Sequence, residues 1–192
     1  AGAVSRPLTD VAGSLVHMHL SRLLTDGRQE EPVLYDLLGR THHEDIRDAT
    51  VEATAKRYHV DSAQAQRVRQ LAQLFFSQVD ESADNELAFQ RRQKLAWAAR
   101  LHEIGIDIAQ ASFHKHSAYI IANADMPGFS KREQAALAAL VIAQRGRLAK
   151  VAHNLPADDT FAAKVLCLRL AVLLCRSRRN VDARLFSLAR VN

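Results

Sequence analysis

The sequence predicts an all-α fold, on three observations. Nearly half of the 192 residues are hydrophobic, whereas only 7 are glycine and 4 proline. Ala, Leu, Arg and Gln recur, a helix-favouring composition with few interruptions. Apolar residues return at the 3.6-residue helical period over several stretches, and Ser130-Lys131-Arg132-Glu133 has the spacing of a helix capping box. A chain of this length suits one domain of ordinary size, or one domain with an arm, and can bury a substantial core.

The elements follow in order. Leu15 to Leu24 has the pattern of a short amphipathic helix that Thr25-Asp26-Gly27 stops, and Glu30-Glu31-Pro32 has the composition of a linker. Residues 1–31 are therefore read as an N-terminal arm or the remnant of a preceding module, and residues 32–192 as a helical domain. Val33 to Leu38 runs into Gly39, and a helical pattern resumes through Ile46, Ala49, Ala53 and Tyr58 until His59-Val60-Asp61 breaks it. Asp61 caps a helix whose inward positions are Val68, Leu71, Ala72, Phe75 and Val79. Asp80 to Asn85 is a polar loop. Leu87, Leu95, Ala98, Ala99 and Leu101 then mark a helix ending at Gly105. Another helical pattern opens near His114-Lys115-His116. Met126-Pro127-Gly128-Phe129 is a turn, and the capping box starts a helix at Ser130 that turns Ala136, Leu137, Leu140 and Val141 inward and reaches about Gln144. Phe161 to Leu174 is apolar on nearly every face, the pattern of a central helix surrounded by others.

Composition also excludes several classes. Leu170 to Cys175 is an uncharged apolar stretch far too short to span a membrane, and the start of the chain lacks the charged-then-apolar order of a signal peptide. Cys167 and Cys175 have no further cysteines with which to build a disulfide framework or a zinc site, so they are expected as buried apolar side chains in a reducing cytoplasm. A formal charge of +5 favours anionic partners without choosing among them.

The residues able to do chemistry concentrate between Leu101 and Ser117. His102 and Glu103 stand at one helix end, and His114, Lys115 and His116 at the start of the next. His102 beside Glu103 is read first as a structural, hydrogen-bonding histidine. His114, Lys115 and His116 are either a solvated helix start or an anion site in which backbone N–H groups assist the cationic side chains. Arg145, Arg147 and Lys150 form a basic cluster, and Arg176, Arg178 and Arg179 another. Cations near helix C-termini are ordinary because they oppose the macrodipole. Two such clusters with Lys115 would suit a linear polyanion, whose oxygens guanidinium groups clasp in pairs. His42-His43 next to Glu44-Asp45 is read as a solvated helix start, since adjacent helical side chains diverge.

Four boxes in order, Pro32 to Arg40, Leu101 to Gly105, His114 to Ile121 and Asn123 to Phe129, resemble the C-terminal part of exopolyphosphatases and guanosine pentaphosphate phosphatases. The resemblance covers roughly Val33 to Arg179. It implies a compact multi-helix domain similar to the HD phosphohydrolase fold, attached in the complete protein to an actin-like module that cleaves phosphoanhydrides with a metal and a catalytic glutamate. In that HD fold a divalent metal is held by an early His, a central His-Asp pair and a late Asp. Here His102-Glu103 takes the central pair, Gln64 falls where the early His would be, and Val172 where the late Asp would be. A neutral amide is a poor ligand for a hard cation and valine is none. A degenerate metal site is therefore expected. No catalytic residue, metal or cofactor is expected in this chain, and the divalent metal is assigned to the preceding catalytic module.

Three functions follow from these readings. The foremost is an accessory domain of an exopolyphosphatase or guanosine pentaphosphate phosphatase. It would bind inorganic polyphosphate or guanosine pentaphosphate through His114, Lys115, His116, Arg145, Arg147, Lys150, Arg176, Arg178 and Arg179, and would help form a homodimer. A stand-alone HD-type metal-dependent phosphohydrolase is the second. A basic helical nucleic-acid binder is the third, disfavoured because the basic residues lack interleaved aromatics.

Overall fold

The computed structural model describes residues 46–80, 85–150, 155–156 and 158–189, and among these there are six α-helices and no strand. The expected boundary at residues 31/32, the helix at Leu15 to Leu24 and the His42-His43 pair lie outside the described residues. So does the segment from Val33 to Arg40. The helices are α1 (residues 46–57), α2 (Ser62–Val79), α3 (Asn85–Leu101), α4 (Phe113–Asn123), α5 (Lys131–Ala143) and α6 (Asp159–Leu174).

Local chemistry sets where these helices begin. The Asp61 carboxylate accepts the Gln64 backbone N–H at 3.0 Å and starts α2. At α5 the capping box is complete. Ser130 Oγ accepts from the Glu133 N–H at 3.2 Å, while Glu133 accepts the Ser130 N–H at 2.9 Å. Asp158 caps α6 by accepting from Thr160, which starts that helix two residues ahead of the first apolar position, Phe161. The Met126–Phe129 turn closes with a 3.1 Å backbone bond and places Gly128 at φ 85°, a conformation natural to glycine.

The deepest stretch is the second half of α3. Leu95, Ala98, Ala99 and Leu101 are fully buried, because this segment packs against α2, α5 and α6 together. On its outer side Arg47 of α1 stacks over Trp97, 5.2 Å from the ring centroid, and bonds Glu133 at the start of α5 at 2.9 Å. Helix α1 is thereby fixed to both neighbours.

Helix α6 departs from the expected central position. Leu168, Cys167 and Ala171 are buried against α2 and the core, but Leu166 is 50% exposed and Leu173 62%. The all-round apolar pattern therefore does not mean burial on all sides. One face of α6 packs inward and the other forms the wall of a cleft. Both cysteines are free and buried, as expected, and burial pushes the Cys167 thiol up to about 12 and Cys175 upward. Among the described residues no helix is long and apolar enough to cross a membrane.

Candidate functional site

Helix α3 ends at Leu101 rather than running to Gly105, and the chain turns through a 3-10 segment, Ile104–Asp107, into the approach to α4. Gly105 is required at this junction. A Cβ there would overlap the backbone of Phe113 and Ser117, so only glycine lets α4 dock on the turn. Ser117 completes the joint: its Oγ accepts from the Gly105 N–H at 2.9 Å and donates to the His102 carbonyl at 3.1 Å. Gln144, just past α5, donates to the same carbonyl at 2.8 Å. Three elements thus meet on one backbone oxygen.

His102 is buried at the centre of that joint, 1% exposed. Its Nδ1 lies 2.7 Å from the Ala99 carbonyl, which can only accept, so Nδ1 carries the proton. Nε2 faces Glu103 at 3.7 Å and has no hydrogen-bond partner. Burial pushes the His102 pKa down, against the upward pull of Glu103 and of the Ala99 bond. The neutral imidazole that results fits the structural role expected of it.

A cleft of about 340 Å³ opens beside this joint, lined among others by Gln64, Glu103, Gln144, Val172 and the arginines 145, 169, 176 and 178. Three of the four positions singled out as a vestigial metal set, Gln64, Glu103 and Val172, therefore come together, with His102 directly behind Glu103. Among the described residues no three His, Cys, Asp or Glu side chains gather at metal-binding distance. Gln64 is committed elsewhere: its amide donates to the Cys175 carbonyl at 2.9 Å and accepts from Arg67 at 3.1 Å. Glu103 is met by a guanidinium, not by further anionic ligands. Arg178 donates to Glu103 at 3.2 Å and to Asp61 at 2.8 Å, which clamps the end of α6 to the start of α2. The Asp61 carboxyl is held below its ordinary range by the Gln64 N–H first and by Arg178 after it.

The expected basic residues divide between the cleft and its surroundings. Arg145 and Arg176 line the cleft and are exposed, and the Arg145 guanidinium stacks 5.4 Å from the Phe113 ring. Arg178 lines it too, held by its two carboxylates. His114 is half-buried against the 144–146 turn, its Nδ1 buried and unpartnered, its pKa lowered by burial first and then by Arg145, Lys115 and Arg169. His116 packs its Cβ toward Gly105 and serves the joint. Lys115, Arg147 and Arg179 are exposed and do not line the cleft. Lys150 ends a 3-10 turn, Leu148–Lys150, and its side chain is outside the described residues.

Sequence reasoning missed Arg169 and Gln144. Arg169 donates to the carbonyls of Ala143 at 2.7 Å and Gly146 at 2.8 Å, satisfying the open end of α5 while its charge faces the cleft. A signal for it existed, since Arg169 is the one charged residue between Lys164 and Arg176 in an otherwise apolar helix. Gln144 carried no comparable mark.

An all-α domain with an arginine-lined cleft beside the buried His102 joint is the class that this geometry defines. The chain belongs to the family described as Ppx/GppA phosphatase, domain III, which matches residues 46–189. It is 40% identical over 159 residues to a guanosine-5'-triphosphate,3'-diphosphate pyrophosphatase of Pseudoalteromonas translucida, covering 82% of this chain and 32% of that protein. It is 35% identical over 173 residues to a protein of the same description from Aeromonas hydrophila, covering 88% of this chain and 34% of that protein. The chain thus spans about a third of the length of these curated relatives.

Proposed function

We propose that this domain is an accessory module of a cytoplasmic phosphatase acting on guanosine pentaphosphate or inorganic polyphosphate, and that it binds the phosphate chain of the substrate without cleaving it. One observation carries this reading. Four arginines and a single carboxylate line the same cleft, and two of those arginines, 145 and 176, are exposed residues whose guanidinium groups would clasp phosphate oxygens. Cleavage, and the divalent metal it uses, is assigned to the catalytic module that the relatives' greater length leaves room for. The same reading includes a homodimer, and an HD-like ancestry for the cleft.

The test is calorimetric titration of this chain with long-chain polyphosphate at fixed ionic strength, paired with a phosphate-release assay in magnesium. Saturable binding without release is the expected result. The double variant Arg145→Ala/Arg176→Ala should weaken binding by at least about tenfold, because a hydrogen bond to a charged group contributes about 1.5–3 kcal/mol. Binding unaffected by that variant would refute the cleft as the site, and steady phosphate release would favour the stand-alone hydrolase. Sedimentation across a concentration series tests the homodimer.

A further inference from the structure

A second cavity, of about 330 Å³, lies among α3, α5 and the start of α6 and shares no lining residue with the arginine-lined cleft. Much of its wall is apolar, formed by Trp97, Phe129, Leu137, Leu140 and Phe161, with Trp97 and Phe129 meeting edge to face at 5.0 Å between centroids. Into this wall the fold sets Lys164, which is only 7% exposed. Burying an ammonium is costly unless an anion faces it. Among the described residues, however, Lys164 makes no hydrogen bond and no ion pair. Burial first, then Lys94, press its pKa below the ordinary lysine value, against the upward pull of Asp158, while Arg91 and Asp80 act in opposite senses after them. Both of those carboxylates are engaged elsewhere: Asp80 pairs with Arg91 at 3.1 Å, and Asp158 accepts the Thr160 N–H at 3.1 Å. Glu133, the other carboxylate on the cavity wall, is held by Arg47 at 2.9 Å and by the Ser130 N–H at 2.9 Å. Lys94 and Arg132, both exposed residues, add two further cations to the lining.

We infer that this cavity binds a small monocarboxylate with an aryl or branched aliphatic tail, its carboxylate pairing with Lys164 and its tail lying against Trp97, Phe129 and Phe161. One negative charge supplies the partner that the buried ammonium lacks, and an apolar body covers the rest of the wall. A phosphate chain is the wrong ligand here. It has no apolar surface to bury, and it would bring several charges up to Glu133 and Asp158. The volume is near the small end of ligand pockets, which run from about 300 to 1,000 Å³. The inference is independent of the phosphate-binding reading, since the two cavities are built from different residues.

Trp97 is the single tryptophan of the chain and lines the cavity, so its fluorescence reports occupancy. The 192-residue chain is titrated at fixed ionic strength with 3-phenylpropionate, with its uncharged counterpart 3-phenylpropionamide and with pyrophosphate. The carboxylate should bind saturably with a dissociation constant of about 1 mM or below, an ordinary affinity for so small a ligand. The amide should bind at least about tenfold more weakly, the loss expected for one hydrogen bond to a charged group. Pyrophosphate should not displace the carboxylate. Lys164→Met, which keeps the stem and removes the charge, should lower the carboxylate to the level of the amide while remaining folded by thermal melting. Arg145→Ala/Arg176→Ala should leave carboxylate binding unchanged. Equal affinities for the acid and the amide, or no saturable response to the acid, overturn the inference, as does displacement by pyrophosphate, which would mark a general anion surface. Unchanged acid binding in folded Lys164→Met removes Lys164 from the site and overturns it equally. Should that variant fail to fold, the comparison of acid with amide on the unaltered chain decides.

Discussion

Arg178 shows how a residue's neighbours decide its use. In sequence it belongs to a basic triplet at the end of an apolar helix, and electrostatics there suggests contact with an external anion. In the fold its partners are Asp61 and Glu103, 117 and 75 positions away, and local pattern carries no information about contacts at that separation. His102 was legible as structural because a histidine at a helix end finds backbone acceptors. Its depressed pKa was not legible, since that follows from complete burial. The depression sets a pH dependence. An unfolded chain takes up a proton near the ordinary value of 6.5, whereas the folded one resists until a lower pH. Stability held by the neutral imidazole is therefore full above 6.5 and is lost as pH falls from there through the folded pKa. Urea midpoints should drop between about pH 7.5 and about pH 5.5, and His102→Gln should flatten that drop. His114, also depressed but half-buried, supplies a smaller part. An unchanged slope in His102→Gln would show that His102 is not the group responsible.

At the level of elements, helix starts and turns were readable because each is written in a few adjacent residues. Asp61, the Ser130–Glu133 box and the Met126–Phe129 turn all act locally, and all form as expected. The end of α3 was misplaced at Gly105. That glycine does not terminate a helix; it admits the close approach of α4, a tertiary requirement. Helix α6 was misread for a related reason. Periodicity reports which faces are apolar, not which are covered, and a helix walling a ligand cleft can keep an apolar outer face. Truncation separates the two faces. Leu168→Ala, at a fully buried position, should cost about 2–5 kcal/mol in chemical denaturation, whereas Leu166→Ala, half-exposed, should cost well under half as much. Comparable losses at the two positions would mean that the outer face of α6 is also packed.

For the whole molecule, a net charge of +5 states only that anions are attracted. Where they collect depends on how the fold gathers arginines from separate elements, and here residues from the end of α5, the middle of α6 and the turn after it share one cleft. The sequence assigned both clusters to one polyanion but not which members line the cleft, and Lys115, Arg147 and Arg179 stand outside its lining. A comparison of equal charge changes distinguishes a site from a generally basic surface. Arg145→Ala/Arg176→Ala and Arg57→Ala/Arg69→Ala each remove two exposed positive charges, but only the first pair lines the cleft. Affinity for polyphosphate should rise with chain length, because each bound phosphate holds its neighbours at high local concentration. It should fall with salt as exposed contacts are screened over about 8 Å at physiological ionic strength. The cleft pair should lose binding to short and long chains alike, since it removes the anchoring contacts. The control pair should shift affinity only modestly, and less as salt increases, because diffuse attraction is what screening removes first. Equal losses from the two pairs at physiological salt would reduce the cleft to an ordinary part of a basic surface.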